Sequence, residues 1–431
     1  MSNCEKPQTP TGIRTTRSAI HNIDTQPLLQ STMSATTQVS SGTALASGPT
    51  LSLTGAGEQK PMRPLTRDEA VGFEVDSPDT WSNFHKRVHK LKPQGDYDVD
   101  MKILACGVCG SDVHTLCGGW GDQHYPLCVG HEIIGLVTRI GPRVTLHKIG
   151  DRVGVGASSW ACLECRQCNK GNEQYCAHQL DTYGAKWPDT GYVTKGGYSS
   201  HIRIHEHYCF PVPEELPTAV AAPMMCAGLT VYSPLKRNGC GPGAKVGVVG
   251  VGGLGHLAVM FAKAMGAEEV WAFMLDHSLD SDARELGATG VIVMSDEGVR
   301  EEHKHTFDLV LNSASSSVNC APFLPLLDVH GRWISVSMPA KEDKGTEVST
   351  WTQIENGCLI GASHLGSRNE ALEMLRLAAD KGVRTWVEEV DISKEGLKAA
   401  LERCRRSDVR YRFCLTGYDK EFGEDIKGRE D

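Results

Sequence analysis

The chain has 431 residues, 40% hydrophobic and 23% charged, and its mean hydropathy of −0.28 is that of a globular protein long enough for two packed cores. Acidic residues outnumber basic ones, 53 to 44, for a formal net charge of −9; with no long basic block, a general nucleic-acid binder is excluded. No apolar run approaches the ~18 residues of a membrane span, so neither nucleic acid nor membrane is expected as a partner.

Residues 1–64 are rich in Ser, Thr, Gly, Pro and Gln (STMSATTQVSSGTALASGPTLSLTGAG). They lack an apolar period and are predicted to form a disordered extension, because they bury too little apolar surface to offset ordering entropy. Arg14 and Arg17 among hydroxyl residues would suit a mitochondrial presequence. Glu5, Asp24 and the missing amphipathic stripe weigh against it and favour the cytoplasm. The 16 cysteines could be read as disulfide partners, but the absence of a secretory pattern and their spacing point to metal ligation in a reducing compartment.

From Leu65 to about Pro213, strand-like runs such as VDMKILACG, GLVTRIG and YSSHIRI alternate with Gly, Pro and Asp clusters, predicting a strand-rich, barrel-like domain. Within it, Cys162, Cys165, Cys168 and Cys176 sit in CLECRQCNKGNEQYC. That spacing lets one loop wrap a zinc ion with four sulfurs and no open position, a structural site; an iron–sulfur cluster is the alternative. A second set is more dispersed. Cys109 lies in ACGVCGSDVHT and His131 and Glu132 in VGHEIIG, and Cys226 in APMMCAGLTVYSPL is the candidate third ligand of a catalytic zinc with one exchangeable position. Read singly, each is as readily a small or polar core residue. Asp112 suits a carboxylate that holds His131 in its ligating tautomer. Ser111 is the candidate for passing the alcohol proton onward, with His114 as a later station. Trp120, Tyr125 and Leu127 are candidates for an apolar substrate cleft.

From Lys245 the texture changes to alternating buried strands and helices: KVGVVG, HLAVMFAKAMG, EVWAFML, FDLVLNSA, GRWISVSMP and CLIGASH. Short, continuously apolar strands are what a parallel sheet covered on both faces requires. VGVVGVGGLGH follows the first strand and opens a helix. Gly250, Gly252, Gly253, Leu254 and Gly255 are therefore the expected dinucleotide cradle, the glycines admitting a pyrophosphate to the free N–H groups of the helix. RNEALEMLRLAADKG predicts an amphipathic helix, and VRYRFCLTGYDKEF a strand returning to the first domain.

Together GVCGSD, GHEIIG, the four-cysteine loop, PMMCAGLTVYSPLKRNGCGPG and VGVGGLGHLAVMFAKAMGAE resemble the zinc-dependent medium-chain alcohol dehydrogenases, in their cinnamyl-alcohol-dehydrogenase-like branch. The resemblance runs from about residue 70 to the C-terminus. It implies an α/β protein with a GroES-like strand-rich catalytic domain (65–226 and 363–431) and a doubly wound Rossmann domain (227–362), usually as a homodimer. It implies two zinc ions per chain, one catalytic on Cys109, His131 and Cys226 with Glu132 as an alternate ligand, and one structural on the four clustered cysteines. It also implies a Ser111–His114 proton relay and interconversion of primary alcohols and aldehydes with NADP(H) or NAD(H). A zinc dehydrogenase acting on polyols or formaldehyde, and a catalytically silent scaffold, are the competing readings.

One stretch departs from the pattern. Members of this branch that use NADPH commonly carry a Ser-Arg pair and following lysines after the second Rossmann strand; this chain has Met274 and Leu275, then Leu279 and Asp280. Asp276, about twenty residues past the glycines, stands where an acidic group accepts ribose hydroxyls. The resemblance favours NADP(H) and the local chemistry NAD(H).

Overall fold

The computed structural model of the chain describes residues 63–338 and 348–429. The disordered extension expected over residues 1–64 lies outside the described residues except for its last two positions.

The described chain begins with an antiparallel pair, β1 (Glu69–Glu74) and β2 (His85–Lys90). Next come β3 (Asp98–Val108), α1 (Gly110–Leu116), β4 (Ile133–Ile140), β5 (Arg152–Val155) and β6 (Ser158–Trp160). β7 (Leu180–Asp181), β8 (His201–His205) and β9 (Phe210–Pro211) complete this strand-rich part. β3 is its spine, antiparallel to both β4 and β8. Met101, Ile103 and Cys106 of β3 are fully buried against Ile133 and Tyr198. The same strand buries two carboxylates, and both are paired: Asp98 with Lys92 and Asp100 with Arg203 (2.6 Å). Left alone, each would carry a desolvation penalty of several kcal/mol.

α2 (Thr218–Ala221) and α3 (Ala227–Arg237) lead into the second part. There β10 (Lys245–Val249), α4 (Gly255–Ala264), β11 (Glu269–Met274), α5 (Asp280–Glu285), β12 (Gly290–Val293) and α6 (Val299–Glu302) succeed one another. β13 (Phe307–Asn312), β14 (Leu327–Ser335), α7 (Thr350–Asn356) and β15 (Leu359–Ala362) follow. All six strands are parallel, in the order β12-β11-β10-β13-β14-β15. That is the doubly wound order, whose reversal between β10 and β13 opens a crevice at the strand ends. Val246, Val248, Leu257 and Phe261 fill one core and Phe273, Phe307, Phe323 and Trp333 another, which is why the strands read as unbroken apolar runs.

The expected amphipathic helix is α8 (Arg368–Lys381). Ser367 Oγ accepts from the Glu370 backbone N–H to start it, and Ala371, Met374, Leu375 and Ala378 bury its apolar face in the core that includes α3. β16 (Val387–Asp391), α9 (Lys394–Arg405), β17 (Arg412–Thr416) and α10 (Tyr418–Phe422) end the described chain. β17 returns antiparallel to β3, Phe413 opposite Val108, within a seven-stranded sheet ordered β16-β17-β3-β4-β5-β9 with β8 also on β3. This return delivers a C-terminal arginine to a site built from residues far earlier in the sequence.

Candidate active site

Three junctions between elements converge on one point. Cys109 follows the end of β3 and precedes α1, His131 and Glu132 immediately precede β4, and Cys226 precedes α3. One ligand atom from each of Cys109, His131, Glu132 and Cys226 lies within 4.8 Å of all the others, and all four residues are buried. Gly107 permits this approach: a Cβ there would sit 2.0 Å from Glu132 Oε2.

Asp112 organises the group. Its Oδ1 accepts from His131 Nδ1 (3.1 Å) and the Gly130 backbone N–H (3.2 Å), and its Oδ2 accepts from the Cys109 N–H (2.9 Å) and the Tyr198 hydroxyl (3.1 Å). With Nδ1 carrying the proton, His131 turns a lone pair on Nε2 toward the sulfurs, and that buried Nε2 has no hydrogen-bond partner. Glu132 Oε1 is bound by Arg412, while its buried Oε2 has none. Two sulfurs, an imidazole lone pair and an orphaned carboxylate oxygen, all dry and convergent, fit a zinc ion.

The electrostatics agree. Cys109 is held well below the usual thiol range by the Cys226 thiol directed at it, and further by His131 and the Arg412 charge; the same contact pushes Cys226 up. Burial lifts the Glu132 carboxyl to about 7 against the opposing pull of Arg412.

Ser111 joins this group, its Oγ 3.4 Å from Cys109 Sγ. His114, on the same helix, stacks on Trp120 at 5.1 Å, and among the described residues no hydrogen bond joins it to Ser111. Of the apolar candidates, Leu127 is a fully buried core residue bridged to Val75, and the Tyr125 hydroxyl donates to the Leu116 carbonyl (2.9 Å). Leu127 therefore belongs to the core, whereas Tyr125 is half-buried with its hydroxyl engaged. Leu365 packs against Cys109 and Cys226 instead, a neighbour that no sequence pattern marked.

The other cysteine set forms a separate nest. Four of the sulfur–sulfur separations among Cys162, Cys165, Cys168 and Cys176 are 3.5, 3.6, 3.9 and 3.9 Å. A tetrahedron with Zn–S bonds of about 2.3 Å has edges of about 3.8 Å. The nest therefore fits one ion, whereas a multi-iron cluster would hold the sulfurs farther apart.

The glycine turn lies at the end of β10. Gly250 has φ +80°, and a Cβ on Gly255 would sit 2.0 Å from the Gly250 carbonyl oxygen, so neither position tolerates a side chain. Gly252 faces open space, Leu254 caps α4, and the helix directs its first N–H groups toward the turn. Arg412 stands between turn and cysteines: it binds Glu132, and its Nη1 is the atom nearest to where a Gly253 Cβ would stand (3.1 Å). Asp276 lies two residues beyond β11, exposed, its Oδ1 accepting from the Ser278 N–H (2.9 Å).

Known proteins match this arrangement part by part. Residues 95–214 match the alcohol dehydrogenase GroES-like domain and residues 253–380 the zinc-binding dehydrogenase family. The chain is 43% identical to NADP-dependent alcohol dehydrogenase 6 of Saccharomyces cerevisiae over 82% of its own length and 98% of that protein's. It is 38% identical to probable cinnamyl alcohol dehydrogenase 3 of Oryza sativa subsp. japonica, covering 85% and 96%. Among solved structures, a cinnamyl alcohol dehydrogenase of Sorghum bicolor superposes with a TM-score of 0.75 at 34% identity, covering 84% of this chain and 99% of that one. The enzyme of Helicobacter pylori complexed with NADP(H) gives 0.73 at 29% identity, covering 84% and 99%. With both of its lobes matched and its relatives covered almost end to end, the chain belongs to the zinc-binding alcohol dehydrogenases, oxidoreductases that interconvert alcohols and aldehydes by hydride transfer with a nicotinamide dinucleotide.

Proposed function

We propose that Cys109, His131 and Cys226 hold a catalytic zinc, with Glu132 as an alternate ligand, that Cys162, Cys165, Cys168 and Cys176 hold a structural zinc, and that the substrates are primary aliphatic or aryl alcohols and their aldehydes. The observation carrying this reading is the orphaned, buried Nε2 of His131, aimed at two cysteine sulfurs while Asp112 fixes its tautomer. When bound, zinc supplies a Lewis acid for the alcohol or carbonyl oxygen and the nicotinamide the hydride acceptor or donor. The chain does the rest. Asp112 keeps the proton on His131 Nδ1, Arg412 balances Glu132, and Leu365 excludes water beside the sulfurs. In oxidation the Ser111 hydroxyl accepts the alcohol proton as it releases its own onward, with His114 as a later station, and in reduction the same transfers run in reverse. The turn Gly250–Gly255 seats the pyrophosphate.

Turnover of a panel of aliphatic, aryl and polyol substrates, with metal content measured on the same preparation, tests the proposal. Two zinc ions per chain and preference for aldehydes with apolar substituents are expected. One zinc or none in active protein, or preference for polyols, would refute it.

The domain division follows the same reading, with 65–226 and 363–431 as catalytic domain and 227–362 as cofactor domain. No single helix among the described residues is long and apolar enough to cross a membrane, and the cytoplasm is the proposed location. For assembly, a homodimer through β15 is proposed. This edge strand exposes Leu359 and Ile360, and Val329 of the neighbouring β14, Met338 after it, and Trp351 and Ile354 of α7 are also exposed. A second copy laid along that edge would pair its free backbone groups and cover the apolar side chains. Light scattering should give twice the chain mass, and Ile360→Lys should reduce it.

A further inference from the structure

The S. cerevisiae relative is named NADP-dependent, yet the loop after β11 in this chain is not built to receive a 2′-phosphate. Its position follows from the fold: β11 lies parallel to β10, Val249 opposite Phe273, so its end flanks the glycine turn. In a doubly wound sheet the residues just past this second strand meet the adenosine ribose. Between positions 275 and 282, and in the turn 294–297 after β12, the chain places Asp276, Asp280, Asp282, Asp296 and Glu297, with His277 as the one residue able to carry positive charge.

His277 has nothing left to offer a phosphate. Its Nδ1 is bound to Asp280 (2.9 Å) and its Nε2 to Asp296 (3.0 Å), so both ring nitrogens are occupied by carboxylates. The guanidinium that reaches this loop, that of Arg410, is held by Asp282 Oδ1 (2.5 Å) and lies over the Trp386 ring at 5.2 Å. Leu275, just past the strand end, is 98% exposed and offers no donor. Asp276 uses Oδ1 to cap the Ser278 N–H, leaving its second oxygen open for a ribose hydroxyl.

Resting on the reading of the glycine turn as a dinucleotide cradle, we infer that this chain discriminates against the 2′-phosphate and takes NAD(H) in preference to NADP(H), with Asp276 accepting the ribose hydroxyls and the His277–Asp280–Asp296 clamp withholding a cation. A 2′-phosphate brings nearly two negative charges, which lose water solvation without the charge-assisted donors that would replace it. Asp276, Asp280 and Asp296 add repulsion.

Calorimetric titration of the zinc-loaded chain with NADH, NADPH, 5′-AMP and 2′,5′-ADP reads binding without turnover. The unphosphorylated member of each pair is expected to bind roughly tenfold or more tightly. The NADPH-to-NADH affinity ratio should rise with salt, because screening relieves repulsion. Equal affinity, or preference for the phosphorylated member, overturns the inference. Binding of none of the four by zinc-replete protein removes the cradle reading and the inference with it, whereas normal NADH discrimination without turnover supports the inference and counts against the catalytic proposal alone. The double variant Leu275→Arg, Asp276→Ser changes two exposed side chains and should strengthen 2′,5′-ADP binding roughly tenfold at unchanged zinc content. Unaltered 2′,5′-ADP affinity in that folded variant would show that this loop does not meet the ribose and would overturn the assignment.

Discussion

Replacing Asp112 by Asn keeps the shape of the side chain and changes only what it can accept. The native carboxylate receives four donors: the backbone N–H groups of Cys109 and Gly130, His131 Nδ1–H and the Tyr198 hydroxyl. An Asn amide has one oxygen, so its NH2 must face one of the two pairs. Toward Gly130 and His131, it strands the Gly130 N–H and drives His131 to the tautomer with the proton on Nε2, the nitrogen proposed to ligate zinc. Toward Cys109 and Tyr198, it strands the Cys109 N–H, while the tyrosine can rotate to accept; His131 then keeps its tautomer but loses the carboxylate's charge. In both cases one buried backbone donor is left unpaired, about 1–3 kcal/mol of folding stability. Zinc affinity at this centre should fall about 10- to 100-fold, about 1.4–2.7 kcal/mol. Competition with a chromophoric chelator measures this, with the four-cysteine site as internal reference because Asp112 is not among its ligands. Loss of affinity at only one of two zinc sites is expected. A folded Asp112→Asn protein retaining wild-type affinity at both would refute the assignment of Asp112 as the group that orients His131.

Ser111→Ala should retain both zinc ions and lower turnover by roughly two orders of magnitude or more, the scale of general acid–base assistance, as read by single-turnover kinetics. Cys165→Ser should chiefly lower the melting temperature, whereas Cys109→Ser should spare folding and abolish turnover; identical behaviour would merge the two proposed sites. Arg412→Gln leaves Glu132 buried without its partner and should destabilise by about 3–5 kcal/mol in urea denaturation. Adding Glu132→Gln should recover much of that loss. Burial lowers His201 and His256 from 6.5 to about 3. Below pH 6.5 the unfolded chain therefore binds protons that the folded chain does not, and stability should fall between pH 6.5 and 3 by up to about 1.4 kcal/mol per pH unit for each histidine. Urea midpoints at pH 7.5 and 5.5 for the native protein and His256→Gln would test this, and an unchanged slope in the variant would refute it for His256.

The parallel sheet was legible because burial on both faces forces unbroken apolar strands, and KVGVVG, EVWAFML and FDLVLNSA meet that requirement at β10, β11 and β13. β12 is only four residues, Gly290–Val293, too short for a run to stand out from its neighbours. The zinc candidates were legible for a different reason: ligand chemistry restricts residue type and local spacing, so the four-cysteine loop and the Cys109–Asp112 pair carry their own signature. Partners across the fold carry none. Tyr198 reaches Asp112 from 86 residues away, and in YSSHIRI it reads as the first residue of a strand that in fact begins at His201. Leu127 illustrates the reverse error: an apolar residue beside a predicted site is as well explained by the core, and the core is where it lies.

Arg412 shows why the missing part matters most for chemistry. Cys109, Cys226, Glu132 and Asp112 bring four groups able to carry negative charge into one buried space. Even with a dication among them, that set retains excess negative charge when fully ionised, and a cation built in beside it reduces that excess. Arg412 is that cation, buried, bound to Glu132 and adjacent to the glycine turn, and it arrives through the antiparallel pairing of β17 with β3. The pairing therefore does more than close a sheet. By fixing Phe413 opposite Val108, one residue before Cys109, it sets Arg412 within reach of both the proposed zinc ligands and the glycine turn. A chain that ended before β17 would keep every cysteine and histidine of the two proposed zinc sites and every glycine of the cradle. It would lack the charge that makes their proximity tolerable, so the C-terminal strand is as much a part of the active site as the ligands themselves.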